Sequence, residues 1–301
     1  MMQDRPVIDD FEIVGENYRP TVRASEKKKL ISKGFPLFSA IVLLLILFGC
    51  LFCELIMPYD PARMLLDEVN RAPGGGHFFG TDTLGRDIWS MIWYGGRKSL
   101  FIGILSTVIS SFIAIVYGTI SGLSGDTLDN ILMRFTEILL SIPSILLIVF
   151  MQAALGQRNV LGISVIIGIT GWMGIAKMVR SEVRKIRSED YVLISKMMGG
   201  GFMHVLFKHL VPNFMSSIMF MIVMSIRSAI ISESTLSFLG IGLPVEIITW
   251  GSMLSLSEKA LLTGSWWIIL IPGVFLVVTL LCITDLGNYL RGSYNSSEGN
   301  L

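Results

Sequence analysis

The sequence predicts an all-α integral membrane protein of about six transmembrane helices, and three observations carry that prediction. Of 301 residues, 52% are hydrophobic and 16% charged, whereas a soluble domain carries about a quarter charged residues; the mean hydropathy is +0.67. The apolar residues gather into blocks of ~20, the length that crosses a bilayer at about 1.5 Å of rise per residue. The blocks lack the alternation of apolar and polar residues over ~10 positions that a membrane barrel needs. A net charge of +1 argues against nucleic acid as a partner.

The elements follow in order. Residues 1–34 are polar, and Arg19, Arg23, Lys27, Lys28, Lys29 and Lys33 precede the first apolar block. That cluster predicts a cytoplasmic N-terminal tail. The first helix is expected over Phe35–Ile56, stopping before Pro58. Its polar lead is too long for an ordinary signal peptide, so it is expected to stay as an uncleaved membrane helix. Cys50 and Cys53 lie within it at C-x-x-C spacing; inside an apolar helix these read as small buried side chains, as does Cys282. An external loop, turning at Pro73-Gly74-Gly75-Gly76, closes a first unit, 35–98.

A second unit, 99–291, is expected to hold five helices. The second helix, Ser99–Leu123, carries small residues at every fourth position: Ser106, Ser110, Ala114, Gly118 and Gly122. Such a stripe lets a neighbouring backbone approach closely. The third, Ile131–Leu155, has Pro143 near its middle, and the fourth covers Val160–Met178. A basic segment, 179–212, separates these from the fifth helix, Asn213–Leu239. The sixth, Trp266–Ile283, contains Pro272-Gly273 and opens on two tryptophans suited to a membrane interface. Residues 292–301 form a C-terminal tail. With both termini in the cytoplasm, sixteen Lys and Arg fall on cytoplasmic segments and seven outside, as the positive-inside rule asks.

The basic segment holds the most informative stretch. Ser188, Glu189 and Asp190 suit a helix N-terminus, where orphan N–H groups favour acidic and hydroxyl side chains. Gly199 suits the left-handed position after a helix end. Between them Tyr191, Ile194, Ser195 and Met198 share one face. A short cytoplasmic helix is therefore predicted over 189–198, with a second helical stretch ending near Pro212. Its apolar face suits either a groove on a cytosolic partner or lipid headgroups.

Three charges stand within the predicted spans. Arg227 falls about 21 Å into the fifth helix, near mid-bilayer, where an unpaired arginine costs at least ~2.5–3.5 kcal/mol. It is expected to face the bundle interior or a wet cavity, either pairing with Glu233 or Glu137 to fix helices or meeting substrate carboxylates and carbonyls. No G-x-x-x-x-G-K-[ST] phosphate loop occurs, so ATP chemistry is expected on another chain. His77, His204 and His209 are scattered and suggest no metal site. No cofactor is expected.

Several segments resemble one known family. Gly199 and Pro212 keep the spacing of the cytoplasmic loop signature of importer-type ABC permeases, with Ile194 and Ser195 where two alanines are usual. Phe79-Gly80-Thr81-Asp82-Thr83-Leu84-Gly85-Arg86-Asp87, continuing through Ser90 to Gly95, Arg97 and Ser99, resembles the C-type subunit of the oligopeptide/dipeptide/nickel permeases. So do Met133-Arg134-Phe135 with Glu137, Ser141-Ile142-Pro143, Glu233-Ser234-Thr235-Leu236-Ser237-Phe238-Leu239-Gly240, Trp250-Gly251 and Leu286-Gly287-Asn288-Tyr289-Leu290-Arg291. The resemblance implies a type I ABC importer permease fold in a bacterial or archaeal cytoplasmic membrane, performing no covalent chemistry. It implies that Glu189, Asp190, Tyr191, Ile194, Ser195, Met198, Gly199 and Pro212 belong to a coupling loop that meets the ATPase. The implied partners are a B-type permease, two cytosolic ATPase subunits and an extracytoplasmic peptide-binding protein. The implied cargo is an oligopeptide or dipeptide, with a nickel chelate or another small solute as the alternative. An ion-coupled carrier is the rival outside this class; no internal repeat supports it.

Overall fold

A computed structural model describes residues 35–156, 158–187, 189–199 and 201–298. The expected tail 1–34 and Ser188 lie outside the described residues, as do the side chains of Asp190, Tyr191 and Pro212. Among the described residues the elements are helices and turns, with two isolated bridges in the first loop and no strand.

Helix α1 (Leu37–Leu51) and the single turn α2 (Cys53–Ile56) together fill the first predicted span, with a break at Phe52. Leu44, Leu45, Phe48 and Leu55 point outward, whereas Ile46, Gly49, Cys50 and Cys53 are buried. The cysteines are free.

The loop that follows is built to start the next helix. Thr81, Asp82, Arg86 and Asp87 are all buried. Asp82 accepts from Arg86 Nε at 2.7 Å and from the backbone N–H of Leu84 and Arg86. Gly85 sits at φ +74, and a Cβ there would lie 1.9 Å from the Leu65 carbonyl oxygen, so only glycine fits this turn. The Asp87 carboxylate accepts from Ser90 N–H at 2.8 Å and caps α3 (Ile88–Leu123). The helix thus begins eleven residues before the expected Ser99. At 36 residues it is about 54 Å long, nearly twice the hydrocarbon thickness of ~30 Å, so it continues beyond the bilayer.

Two expected spans are broken. The third divides into α4 (Asp126–Ser141) and α5 (Ser144–Leu155), bent by 90°. Proline pushes the residue before it out of the helical region, and Ile142 accordingly lies at φ −85, ψ 127. The fourth divides into α6 (Val160–Thr170) and α7 (Met173–Ile186), bent by 44° at Gly171-Trp172; α7 also runs past the expected end at Met178.

The small-residue stripe on α3 packs as its spacing predicts, and its partners are α6 and α7. Ser106 Oγ donates to the Ser164 carbonyl at 2.9 Å. A Cβ on Gly118 would lie 2.6 Å from the Ala176 carbonyl oxygen and 2.8 Å from Val179 Cβ.

The basic loop contains α8 (Asp190–Met197), α9 (Phe202–Val205) and a π turn over Leu206–Leu210. The π turn runs directly into α10 (Val211–Phe238). The second helical stretch therefore does not end near Pro212. That proline lies in the first turn of α10, directly after the π turn. Beyond α10, the short helices α11 (Trp250–Ser255) and α12 (Ser257–Leu262) lead to α13 (Trp267–Glu298). Pro272 lies inside α13, which continues past the expected end at Ile283. There Ser39 on α1 donates to Asp285 at 2.8 Å.

Helices α3, α10 and the Trp267–Gly292 part of α13 are each long and apolar enough to cross a membrane; the two bent pairs qualify as further spans. Helix α3 is the central element, packing against α1, α6, α7, α10 and α11.

Candidate functional site

The first site is α8 and its root. The expected turn at Gly199 is present, at φ +85 directly after the Met198 N–H bonds back to the Ile194 carbonyl at 2.9 Å. Val192 is fully buried in an apolar cluster with Val179 and Val183 of α7, Val205 of α9, and Phe214 of α10. The opposite side is bare: Ile194 is 55% exposed, Met197 87% and Met198 84%. Glu189 is exposed and Ser195 half-buried. The apolar face predicted from Ile194 and Met198 therefore includes Met197, which lies at i+3 from Ile194.

An ionic knot roots this helix. Asp129 on α4 is fully buried and accepts from Arg180 Nε at 2.6 Å, from Arg180 Nη2, and from Arg184 at 2.9 Å, both arginines on α7. Ser121 of α3 donates to the same carboxylate. Arg187 reaches the carbonyls of Gly122 and Ser124, at 3.0 and 3.3 Å. These contacts tie α3, α4 and α7 together just before the chain enters α8. Sequence reasoning did not single out Asp129. Its signal is an acid in the first turn of a helix entering the membrane, facing a later basic segment.

The three intramembrane charges do not meet. Arg227 lies midway along the apolar 217–238 stretch of α10, exposed, and makes no ion pair among the described residues. Glu137 faces Arg134 at 3.5 Å and Lys177 at 3.6 Å. Glu233 is fully buried and accepts from Thr249 Oγ1 at 2.7 Å, Ser237 Oγ at 3.0 Å and Ser234 Oγ at 3.4 Å. The expected pairing of Arg227 with Glu233 or Glu137 is therefore corrected. On α10 Glu233 turns inward to α11 while Arg227 turns outward, because six residues rotate the helix by about 600°, 120° short of two turns.

Glu233 belongs instead to a buried joint. Thr249, its hydroxyl partner, caps α11. Next to it, the Trp250 N–H donates to Ser99 Oγ at 3.1 Å and the Trp250 indole to the Ile92 carbonyl at 3.0 Å. A Cβ on Gly251 would stand 2.6 Å from Ser234 Cα. Three motifs far apart in sequence, around Gly95–Ser99, Glu233–Gly240 and Trp250-Gly251, thus lock α3, α10 and α11 together.

In the first loop, His77 is buried between two carboxylates, with Nδ1 2.8 Å from Asp87 and Nε2 2.8 Å from Glu68. Burial by itself pulls the imidazole pKa down, but the hydrogen bonds and charges of Asp87 and Glu68 outweigh it and raise it. The His77 hydrogen bond in turn lowers the pKa of Glu68.

Comparison with known proteins places this architecture. Residues 114–291 match the model of the binding-protein-dependent transport system inner membrane component family. The chain is 34% identical over 270 residues to the dipeptide transport system permease protein DppC of Bacillus subtilis (strain 168), covering 89% of this chain and 82% of that one. It is 35% identical over 260 residues to the oligopeptide transport system permease protein OppC of the same organism, covering 86% and 85%. The di/tripeptide transport system permease protein DppC of Pseudomonas aeruginosa (strain UCBPP-PA14) is 33% identical over 264 residues, covering 86% of each chain.

Proposed function

The chain belongs to the family of binding-protein-dependent transport system inner membrane components, and from that premise we propose how it works as a permease subunit of an ATP-driven peptide importer. It is a multi-pass membrane protein whose relatives carry dipeptide and oligopeptide names. Both termini are read as cytoplasmic, in a bacterial or archaeal inner membrane, a reading supported by the surplus of Lys and Arg on the segments assigned to that side. A B-type permease shares the path, two cytosolic ATPases supply the energy, and an extracytoplasmic binding protein delivers peptide.

In this reading the chain makes and breaks no covalent bond. Helix α8 seats Ile194, Met197 and Met198 in an apolar groove of an ATPase, and Glu189 and Asp190 favour its positive end. Gly199 ends the helix, and Pro212 begins α10. When the ATPases close on ATP, α8 is drawn with them. Val192 and the Asp129 knot carry that movement into α7, α3 and α4, which rock as a body and change the side on which the path opens. Arg227, exposed and unpaired at mid-span, is read as a contact for a carboxylate of the peptide. Glu137 and Glu233, each held by neighbours within the chain, are read as structural.

The observation that carries this reading is an eight-residue helix with its one fully buried valine on the permease and three bare apolar side chains opposite. The test is site-directed crosslinking in native membranes. Ile194→Cys and Met198→Cys are expected to capture an ATPase subunit. Capture of lipid alone, or labelling of these positions from the external face, would sink the proposal.

A further inference from the structure

Between α3, α5, α6 and α10 is a half-open cavity of about 80 Å³ lined by hydroxyl-bearing and aliphatic side chains. Thr107 and Ser110 of α3, Thr170 of α6, and Ser225, Ser228 and Ser232 of α10 line it, with Gly171 at the break between α6 and α7. Ile148, Ile167 and Ala229 fill the gaps between them, and no ionisable side chain contributes. A cavity needs ~10–15 Å³ of such space for one water, so this one admits roughly five waters or one to two amide groups.

The hydroxyls are not all satisfied by the protein. Thr170 donates to the Ile166 carbonyl at 2.9 Å and Ser110 to the Thr107 carbonyl at 3.1 Å, each keeping lone pairs free. Thr107 Oγ1 has no partner, although the residue is only 4% exposed. An unmatched buried hydroxyl costs about 1–3 kcal/mol, and this oxygen is closed to a water-sized group, so the hydroxyls open to an entering group are those of α10. Ser225, Ser228 and Ser232 bond nothing among the described residues. Ser228 is exposed and forms part of the rim. Ser225 to Ser232 spans about 10 Å of helix, the length of about three residues of extended chain.

We propose that this hydroxyl-lined cavity hydrogen-bonds the main-chain amides of the peptide in transit, and reads no side chain. The proposal rests on the peptide-importer reading above and adds the basis of its selectivity. A hydroxyl both donates and accepts, so it serves an N–H and a C=O alike and tolerates either chain direction. With no charge in its wall, the cavity gives no preference between acidic and basic peptides. It is too small for a whole dipeptide; side chains remain outside, along the exposed face of α10.

The test uses the complete transporter in proteoliposomes with three radiolabelled tripeptides: one acidic, one basic, and one N-methylated at its main-chain amides. Ser225→Ala removes one wall hydroxyl without adding bulk. Ser228→Ala with Ser232→Ala alters the rim and wall without adding bulk. Each variant is expected to lower ATP-dependent uptake of the acidic and basic peptides by the same factor, about 2- to 12-fold for each hydroxyl removed, the loss of one neutral hydrogen bond apiece. The amount of assembled complex is expected to be unchanged. The N-methylated peptide is expected to enter poorly in wild type and to respond little to either variant. Uptake unchanged in both variants, or lowered for one charge alone, overturns the proposal and leaves the importer reading intact. A wild-type complex that takes up none of the peptides with ATP overturns both.

Discussion

Arg227 is the residue whose environment says most. A guanidinium in the middle of an apolar stretch costs at least about 2.5–3.5 kcal/mol unless it is hydrated or paired, and no carboxylate of this chain among the described residues meets it. Arg227→Gln removes the charge and keeps the length. It is expected to lower uptake of peptides with a free C-terminal carboxylate several-fold, by raising KM, and to leave C-terminally amidated peptides unaffected; free-carboxylate uptake equal to that of wild type, at normal levels of complex, would rule out the role. His77 makes a second residue-scale prediction. Both its ring nitrogens face carboxylates, so the charged imidazolium is favoured and its pKa is raised. A raised folded pKa stabilises below the unfolded value of about 6.5 and loses that stabilisation as pH rises through the folded pKa. Glu68, with its pKa lowered, stabilises above its unfolded value and loses that on acidification. Tyr59 stacks on the imidazole and Arg71 pairs with Glu68; neither opposes this sign. Thermal stability of the purified protein is therefore expected to fall between mildly acidic and alkaline pH, with the slope reduced in His77→Gln.

At the scale of elements, what the sequence spacing specifies is the face a helix buries, and α3 shows it. Its small residues face α6 and α7 because a 3.6-residue period brings every fourth position to nearly the same azimuth. Gly118→Val would force side-chain atoms into the Ala176 carbonyl and Val179, and overpacking of this kind costs about 1–3 kcal/mol. A lowered midpoint of thermal unfolding is expected, read by tryptophan fluorescence in detergent. Gly273→Ala, inside α13 and with nothing within 4 Å of the added methyl, is the control expected not to lower it. The start of α3 was also present in the sequence: Asp87 three residues before Ser90 is an N-cap pattern. Hydropathy alone starts the helix at Ser99, because Arg97 and Lys98 interrupt the apolar run.

At the scale of the molecule, two sets of long-range contacts organise the chain. On the assigned external side, the joint of Glu233, Thr249, Trp250 and Ser99 ties α3, α10 and α11. On the assigned cytoplasmic side, Asp129 ties α3, α4 and α7 at the root of α8. Between them lie the bend of α4 on α5 and that of α6 on α7, which line the hydroxyl cavity. Rigid joints at both ends and broken helices between them suit a body that rocks as a unit around a path.

The sequence alone determined the all-α membrane class, the approximate place of the long apolar helices, the short helix after the basic segment with its glycine stop, and the packing face of α3. These depend on local terms: the transfer of apolar side chains into lipid, the capping of a helix end, the period of a helix. Tertiary structure decided that Pro143 turns the chain by 90°, that Glu233 is held by hydroxyls while Arg227 stands without a carboxylate, and that Asp129 gathers three helices. It also assembled the cavity from single hydroxyls on different helices. Which side chains meet across helices depends on how the whole bundle packs, and the spacing of residues along one chain does not encode that distance.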